Sequence, residues 1–275
     1  MPGTLYLVGT PIGNLGDLSP RAVETLREVD FIAAEDTRVT MKLLNHFEIK
    51  KPLVSYYEHN RASSGARILE RLRAGESCAL VTDAGMPAIS DPGEDVVRAC
   101  AEALVPVVAV PGPSAVVTAL ALSGLPTGRF TFEGFLSVTK KSRFEHLDSL
   151  RGERRTMVFY EAPHKLLRTL KDMLEVFGDR RVALCREMTK LHEEVVRTTL
   201  SGALQLYEME PPRGEYVLVL AGAPDEAPVQ ATPEEALAAV EEYRAMGHSL
   251  REACRLAAAE TGYTKNELYA LAVRE

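Results

Sequence analysis

The chain has 275 residues, a formal net charge of −7, 46% hydrophobic residues and 26% charged residues. Its length predicts about two domains, and its composition excludes a disordered chain, a collagen-like chain and a small disulfide scaffold. The sequence has neither an apolar run of transmembrane length nor a basic, apolar leader, so we expect a cytoplasmic protein. Cysteines stand far apart, without metal-ligand spacing, which is typical of reduced and mostly buried thiols. They are Cys78, Cys100, Cys185 and Cys254.

The first part of the chain alternates short apolar runs with helical patterns. The apolar runs occupy residues 5–8, 31–34, 78–81 and 107–110. Runs of this length predict strands that are buried on both faces. Ser19 and Pro20 open a predicted helix, since serine is a good N-cap and proline suits the first helical position. Further helices are predicted at 66–74 and 96–103. This alternation indicates a parallel sheet with helices on its faces.

Later in the chain the predicted strands come closer together and helices become fewer. These apolar runs occupy residues 130–132, 157–160, 182–185, 195–200 and 216–220. Such a pattern favours a second α/β domain with a mixed sheet. The predicted fold class is therefore α/β, with one such domain at 1–125 and another at 126–224.

Residues 225–275 form the third predicted region, a linker followed by an all-helical tail. Residues 225–233 are rich in proline and alanine, as linkers are. Apolar residues at helical spacing then predict three helices, with breaks at Gly247, Ser249 and Thr264, as in a helix-turn-helix. From residue 225 onward there are ten acidic and five basic residues. This acidic balance argues against a DNA-binding role for the tail.

Several loops follow predicted strands, which is where open α/β sheets bind their ligands. Residues 9–16 are glycine-rich but lack a phosphate-binding fingerprint, so they indicate either a ligand loop or a tight turn. Residues 82–93 contain two Gly, two Pro and two Asp, which fix the backbone so that its polar groups can face a ligand. Within them, we expect Asp91 to cap the next helix. In the loop 110–115, Ser114 is either an N-cap or a ligand contact.

Charged residues offer three further candidates. The segment 35–38 is either a charged loop with an internal ion pair or a site where Arg38 holds a phosphate and a carboxylate accepts a proton. His164 stands at a predicted helix start, where a surface role is the more common one. Residues 140–155 contain six basic and three acidic residues, which indicates either a solvated face or a contact for a polyanion.

Six segments, taken in order, resemble the tetrapyrrole (corrin/porphyrin) methylase superfamily, and within it the branch that methylates ribosomal RNA. They are 8–14 (VGTPIGN), 35–38 (EDTR), 83–93 (DAGMPAISDPG), 110–115 (VPGPSA), 159–164 (FYEAPH) and 187–193 (EMTKLHE). The resemblance spans residues 4 to about 222, and the tail resembles extra C-terminal helices of the same branch. It implies two α/β domains with the cofactor cleft between them, a small all-helical C-terminal domain and a homodimer.

The resemblance also implies a reaction, namely methyl transfer from S-adenosylmethionine to the ribose 2′-oxygen of a decoding-centre cytidine in 16S rRNA. Carried over residue by residue, the implied cofactor contacts are Ile12, Gly85, Met86, Ile89, Ser114, Ala115, Tyr160, Met188, Gly214 and Glu215. Candidates for the proton acceptor are Asp83, Glu35 and Asp36. Candidates for RNA contacts are Arg38, Arg129, Lys140, Lys141, Arg143 and Arg154. No metal is expected.

One departure from the branch pattern concerns the loop after residues 134–136, where Ser137, Val138 and Thr139 replace an expected Pro and Arg. Two alternatives remain open besides the RNA methyltransferase. One is a methylase that acts on a small tetrapyrrole precursor. The other is a ribosome-assembly factor that binds the cofactor without catalysis. The basic stretch and the tail favour the RNA enzyme, with 16S rRNA or the 30S subunit as partner and neither membrane nor DNA.

Overall fold

A computed structural model of the chain describes residues 1–224 and 231–273. The chain divides into two units, Met1–Ala223 and Pro224–Glu275. The first unit contains both sheets, and the domain boundary expected near residue 125 stays a prediction. Of the expected linker, residues 225–230 lie outside the described residues. Within the described part of the chain, no helix is long and apolar enough to cross a lipid bilayer.

The first sheet is entirely parallel, as the buried apolar runs predicted. Its strands are β1 (Leu5–Val8), β2 (Phe31–Ala34), β3 (Leu53–Ser55), β4 (Cys78–Val81) and β5 (Val107–Val110). They lie in the order β3-β2-β4-β1-β5. Only β3 was not predicted, because three residues are too few to show a pattern. The carboxyl ends of all five strands therefore meet at one edge.

The second sheet is mixed, which was also predicted. Its strands are β6 (Phe130–Phe135), β7 (Thr156–Glu161), β8 (Arg181–Arg186), β9 (Glu194–Thr199) and β10 (Tyr216–Leu220). They lie in the order β6-β7-β10-β8-β9. Only the β6–β7 pair is parallel, whereas β7, β10, β8 and β9 pair antiparallel.

Helices of the first unit connect these strands. They are α1 (Pro20–Glu28), α2 (Thr37–His46), α3 (Arg61–Arg73), α4 (Glu94–Glu102), α5 (Ala115–Leu122), α6 (Lys140–Ser149), α7 (Pro163–Phe177) and α8 (Leu200–Met209). The start of α1 is as predicted, since the Ser19 hydroxyl accepts a hydrogen bond from the backbone N–H of Ala22. The expected capping role of Asp91 is wrong, because α4 begins three residues later with Gly93 at its N-cap.

The hydrophobic core explains how the two sheets are held together. Apolar side chains cover both faces of the first sheet, and α7 and α8 cover one face of the second sheet. The opposite face of the second sheet receives α5, whose Val116, Ala119 and Leu120 pack against Val158 and Val217. Because α5 follows the last strand of the first sheet, it fixes one sheet against the other. All four cysteines are buried and free.

The loops after β1, β4 and β5 touch backbone to backbone. A Cβ atom added at Gly9 would lie 2.7 Å from the Cα of Gly112 and 2.7 Å from the Sδ of Met86. Thr10 and Gly85 exchange two backbone hydrogen bonds of 2.9 and 3.1 Å between N and O. These contacts bring three loops of the sheet edge into one rigid group.

The second unit is a three-helix cluster. Its helices are α9 (Pro233–Ala245), α10 (Leu250–Thr261) and α11 (Lys265–Ala272). They enclose a small core that includes Val240, Ala257 and Leu268. Thr232 with Glu235, and Thr264 with Glu267, form capping boxes that begin α9 and α11. Three helices with these breaks were predicted for the tail.

The close approach of the loops yields a stability prediction. Gly9→Ala forces the loop after β1 away from Gly112, and overpacking of this kind costs about 1–3 kcal/mol of unfolding free energy. Gly128→Ala and Gly152→Ala are matched controls, because an added Cβ meets nothing within 4 Å at either position. We expect the urea midpoint, followed by circular dichroism, to fall for Gly9→Ala alone. Equal midpoints for all three variants would contradict the rigid contact.

Candidate active site

A cavity of about 390 Å³ lies where the loops of the first sheet face the strand ends of the second sheet. Its volume falls in the usual range of ligand sites, which is roughly 300–1,000 Å³. It is lined by Ile12, Ala84, Ser90, Asp91, Ala115, Phe135, Tyr160, Glu161, Ala162, Pro163, Glu187, Met188, Glu215, Tyr216 and Val217. A smaller cavity of about 40 Å³ shares five of these residues and adds Gly85, Met86, Ile89 and Ser114.

These two cavities bring together nine of the ten residues that the sequence suggested for the cofactor. Ser114 occupies the N-cap position of α5 but makes no capping hydrogen bond with its side chain, which leaves the hydroxyl available to a ligand. Gly214 is the tenth residue and lines neither cavity. It has a φ of +81°, and a Cβ there would lie 2.6 Å from the Cγ of Glu187. Its role is therefore to let the chain turn into Glu215.

Strained backbone surrounds the cavity on two sides. Ala88 and Ser90 of the loop 82–93 have φ values of +68° and +61°, and Glu187 and Thr189 of the facing loop have +48° and +67°. Residues with side chains rarely adopt this left-handed region, and each costs roughly 1–3 kcal/mol when surrounding structure holds it there. Strain of this kind is common at functional sites. Four such non-glycine residues of the described chain flank this cavity, whereas Glu48 and Leu104 follow helix ends elsewhere.

A hydrogen-bonded lysine shapes the second side of the cavity. The Lys190 ammonium donates to Glu187 and to Glu215, with both N–O distances at 2.9 Å. Hydrogen bonding to Lys190 lowers the pKa of Glu187. The same loop packs on the loop after β1, because a Cβ at Gly13 would lie 2.6 Å from the Cγ of Lys190. Together these contacts fix Met188 beside the cavity.

The electrostatic character of the cavity is negative. Asp91, Glu161, Glu187 and Glu215 line it, and among the described lining residues none is Lys or Arg. Lys190 offsets part of this negative charge, because its ammonium pairs with Glu187 and Glu215. Glu161 is buried and accepts hydrogen bonds from the backbone of Ala162 and from the Thr169 hydroxyl. In the part of the chain that the structure describes, no group of His, Cys, Asp or Glu is arranged to hold a metal ion. The cavity thus suits an organic ligand with a positive centre.

Asp91 is the functional candidate that the sequence misassigned. Asp91 lines both of these cavities. It also lines a third cavity of about 540 Å³, whose lining includes the acidic residues Glu35 and Glu94. Burial, and secondly the nearby charge of Glu35, raise the pKa of Asp91 to about 6. The sequence signal for a functional role is a second aspartate in a Gly- and Pro-rich loop. That signal is ambiguous, because an aspartate directly before a proline is also typical of a helix cap.

None of the three proton-acceptor candidates from the sequence lines the main cavity. Glu35 shares the third cavity with Asp91, whereas Asp83 lines another cavity of about 220 Å³ and burial raises its pKa. Asp36 caps α2 and pairs with Arg38 at 2.6 Å, and hydrogen bonding to Arg38 lowers the pKa of Asp36 to about 2. The expected internal ion pair of this segment is thus present, and Asp36 is a weak base. Asp83 accepts from the Asp36 backbone at 3.1 Å, and Glu35 accepts from the Thr82 hydroxyl at 2.7 Å.

The chain is similar in sequence to known proteins over most of its length. The sequence pattern of the tetrapyrrole (corrin/porphyrin) methylases matches residues 4–203. The chain belongs to this family. A relative in Synechocystis sp., ribosomal RNA small subunit methyltransferase I, is 48% identical over 98% of both chains. A relative of the same name in Thermotoga maritima is 52% identical over 80% of this chain and 99% of its own length.

Solved structures of the methylase family show the fold. Uroporphyrin-III C-methyltransferase from Thermus thermophilus, in complex with S-adenyl homocysteine, has a TM-score of 0.55 to this chain at 21% identity. The match covers 79% of this chain and 97% of that one. Two α/β halves of the tetrapyrrole methylase type, which the sequence implied, are therefore confirmed.

One prediction for the basic stretch 140–155 is wrong. Arg143 was expected to contact RNA, but its side chain is only 3% exposed. Its guanidinium donates to the Asp172 carboxylate at 2.6 Å and to the carbonyl oxygens of Ser137 and Val138. Its role is to anchor α6 to α7 and to hold the preceding loop. An RNA contact is excluded by this burial.

Other basic candidates remain at the surface. Lys140 and Lys141 are exposed on the first turn of α6, and Lys141 lies 3.9 Å from Glu145. Arg129 and Arg154 are also exposed, and Arg38 is 87% exposed although it pairs with Asp36. His164 is exposed near the start of α7. RNA contacts by these side chains stay a prediction.

The buried ion pair generates a second prediction. Asp172→Ala leaves the Arg143 charge buried without its partner, and breaking such a pair costs about 3–5 kcal/mol. Arg143→Met together with Asp172→Leu removes both charges, so we expect this double variant to recover most of the loss. Lys141→Ala, on the same helix but exposed, is the control. A chemical denaturation midpoint for Asp172→Ala equal to that of Lys141→Ala would show that Arg143 is not a structural anchor.

Proposed function

We propose that this protein is an S-adenosylmethionine-dependent methyltransferase that modifies 16S rRNA at the ribose 2′-oxygen of a decoding-centre cytidine. The observation that carries the proposal is a carboxylate-lined cavity that is formed by the motifs on which the family resemblance rests and that has no Lys or Arg among its described lining residues. The names of the relatives at 48% and 52% identity support a ribosomal RNA substrate. We further propose a cytoplasmic location, which a ribosomal RNA substrate supports.

The residues present fit the proposed cofactor. S-adenosylmethionine, when bound, supplies a methyl group activated on a positively charged sulfonium. The carboxylate of Asp91 and the polarisable sulfur of Met188 suit such a centre. The carboxylate of Glu215 also lines the cavity, but it is already paired with Lys190. Backbone N–H and C=O groups in the loops 82–93 and 110–115 are held rigidly by Gly and Pro, so they can recognise the adenine edge.

Catalysis by this chain would depend mainly on positioning. Methyl transfer is a displacement in which the attacking oxygen must lie in line with the methyl group, and fixed geometry of this kind lowers the barrier substantially. The 2′-hydroxyl also loses a proton. Asp91 is the group that we assign to accept it, because it lines the main cavity and its raised pKa of about 6 makes it a competent base near neutral pH. Glu35 acts on Asp91 through its charge.

RNA would approach along the exposed basic side chains near the cavity. The loop between β6 and α6 leads directly from Phe135, in the cavity lining, to Lys140 and Lys141. Exposed lysines there can contact phosphates while the ribose enters the cavity. We further propose a homodimer, as the resemblance implies.

The proposal is tested by incubating the purified protein with S-adenosylmethionine labelled in the methyl group and with 30S subunits, free 16S rRNA or a tetrapyrrole precursor. We expect label on a cytidine ribose, which nuclease digestion and mass spectrometry will locate. Label on a base, or on the tetrapyrrole alone, contradicts the proposal. Cofactor binding without any transfer would instead support a non-catalytic assembly factor.

The role of Asp91 predicts a pH dependence. A carboxylate accepts a proton only when ionised, so the rate of methyl transfer is expected to rise as the pH increases through about 6. Asp91→Asn cannot accept the proton, so we expect a loss of roughly 10²–10⁴-fold in rate and no rise across this range. Glu94→Gln, an exposed carboxylate at the start of the neighbouring helix, is the control. An unchanged pH profile in Asp91→Asn would assign the proton to another group.

A further inference from the structure

We propose that Phe135 is the platform on which the target base of the RNA stacks. The inference rests on the proposed function and adds to it a positioning residue on the substrate side of the cavity. Its basis is an exposed aromatic ring that the fold turns into the cavity by an irregularity in β6.

The exposed ring of Phe135 contributes little to the stability of the fold. Phe135 is 58% exposed, although burial of a phenylalanine side chain gains about 1.5–3 kcal/mol. It belongs to none of the hydrophobic clusters of buried and partly buried side chains in the described chain. Exposed apolar side chains also occur elsewhere on this protein, for example at Leu104 and Leu191. Phe135 differs from these two because it lines the main cavity, where a ligand can cover its ring.

A β-bulge directs Phe135 into the cavity. Phe132 pairs with Val158 of β7, but the register then shifts, so that Gly134 pairs with Phe159 and Phe135 with Tyr160. In a regular strand, Phe135 would point to the face opposite Phe132, since side chains alternate. The extra residue reverses this and puts both rings on the Tyr160 side. Bulges beside active sites commonly re-aim a side chain in this way.

Glycine makes the bulge possible. Gly134 has a φ of +62°, which a residue with a side chain adopts only at a cost. A Cβ at Gly134 would lie 3.6 Å from the Ser90 hydroxyl, so the bulge also lies against the loop 82–93. Phe135 is thereby placed beside the loop that carries Asp91.

Tyr160 supports the Phe135 ring, and Phe132 supports Tyr160 in turn. The centroids of Phe135 and Tyr160 are 5.3 Å apart, and those of Phe132 and Tyr160 are 5.0 Å apart. The row Phe132–Tyr160–Phe135 therefore runs from the core to the cavity mouth. Because Tyr160 holds the Phe135 ring on one side, a base can stack on the open face without a further loss of side-chain conformational entropy.

The RNA explains the open face better than the cofactor does. Proteins that bind unpaired RNA stack splayed bases on aromatic side chains and hold the adjoining phosphates with basic residues. Lys140 and Lys141 follow Phe135 by five and six residues and are both exposed. A base on Phe135 would thus have its ribose at the cavity and its phosphates near α6.

The test compares Phe135→Leu, Phe135→Ala and Phe135→Trp with wild type. Leucine keeps an apolar side chain but removes the stacking face, whereas tryptophan keeps it. We measure kcat/KM for 30S subunits, or free 16S rRNA if that is the better substrate, and the affinity for S-adenosylhomocysteine by calorimetry. Phe130→Ala is the control, since Phe130 is exposed on the same strand but lines neither cavity.

Loss of one stacked base corresponds to roughly a tenfold to hundredfold loss of kcat/KM, which we expect for Phe135→Leu and Phe135→Ala. Phe135→Trp is expected to retain activity within about threefold, and every variant to keep its affinity for S-adenosylhomocysteine within about twofold. Wild-type activity in Phe135→Leu overturns the platform alone. Lost affinity for S-adenosylhomocysteine makes Phe135 part of the cofactor pocket instead. A wild-type protein that places no label on RNA overturns the proposed function as well.

Discussion

The contact between the Gly9 and Gly112 backbones is the constraint on which the cleft depends. At this point the loops after β1 and β5, which are neighbouring strands, approach so closely that neither residue has room for a side chain. The loop after β5 leads directly into α5, and α5 packs on the second sheet. The contact between these loops therefore fixes where α5 begins. Since α5 packs on the second sheet, the contact also helps to set the width of the cavity between the two sheets.

The net charge of this chain does not describe the charge of its separate surfaces. The net charge of −7 argues against a nucleic acid partner when it is read for the whole chain. The tail from residue 225 onward has ten acidic and five basic residues, so it contributes −5 of the −7. The exposed lysines at the start of α6 belong to the local basic stretch, and this local charge bears on such a contact more than the net charge does.

Much of the fold could be predicted because short apolar runs and proline or serine helix starts are local signals. The parallel and mixed sheets followed from those runs, and nine implied cofactor residues line the two cavities. The failures have tertiary causes. Burial of Arg143 depends on Asp172, which is 29 residues away, and the exposure of Asp91 to the cavity depends on the left-handed backbone at Ser90. Phe135 escaped notice because a bulge cancels the alternation on which strand patterns rely.

The central claim is that the cavity between the two sheets holds the methyl donor. A crystal structure of the protein with S-adenosylhomocysteine tests this claim most directly. The account predicts the ligand in contact with Ala115, Tyr160 and Met188, with its sulfur on the side of Asp91 and the face of Phe135 left open. A ligand bound at any other surface of the protein, or one that covers the Phe135 ring with its adenine, would contradict the account.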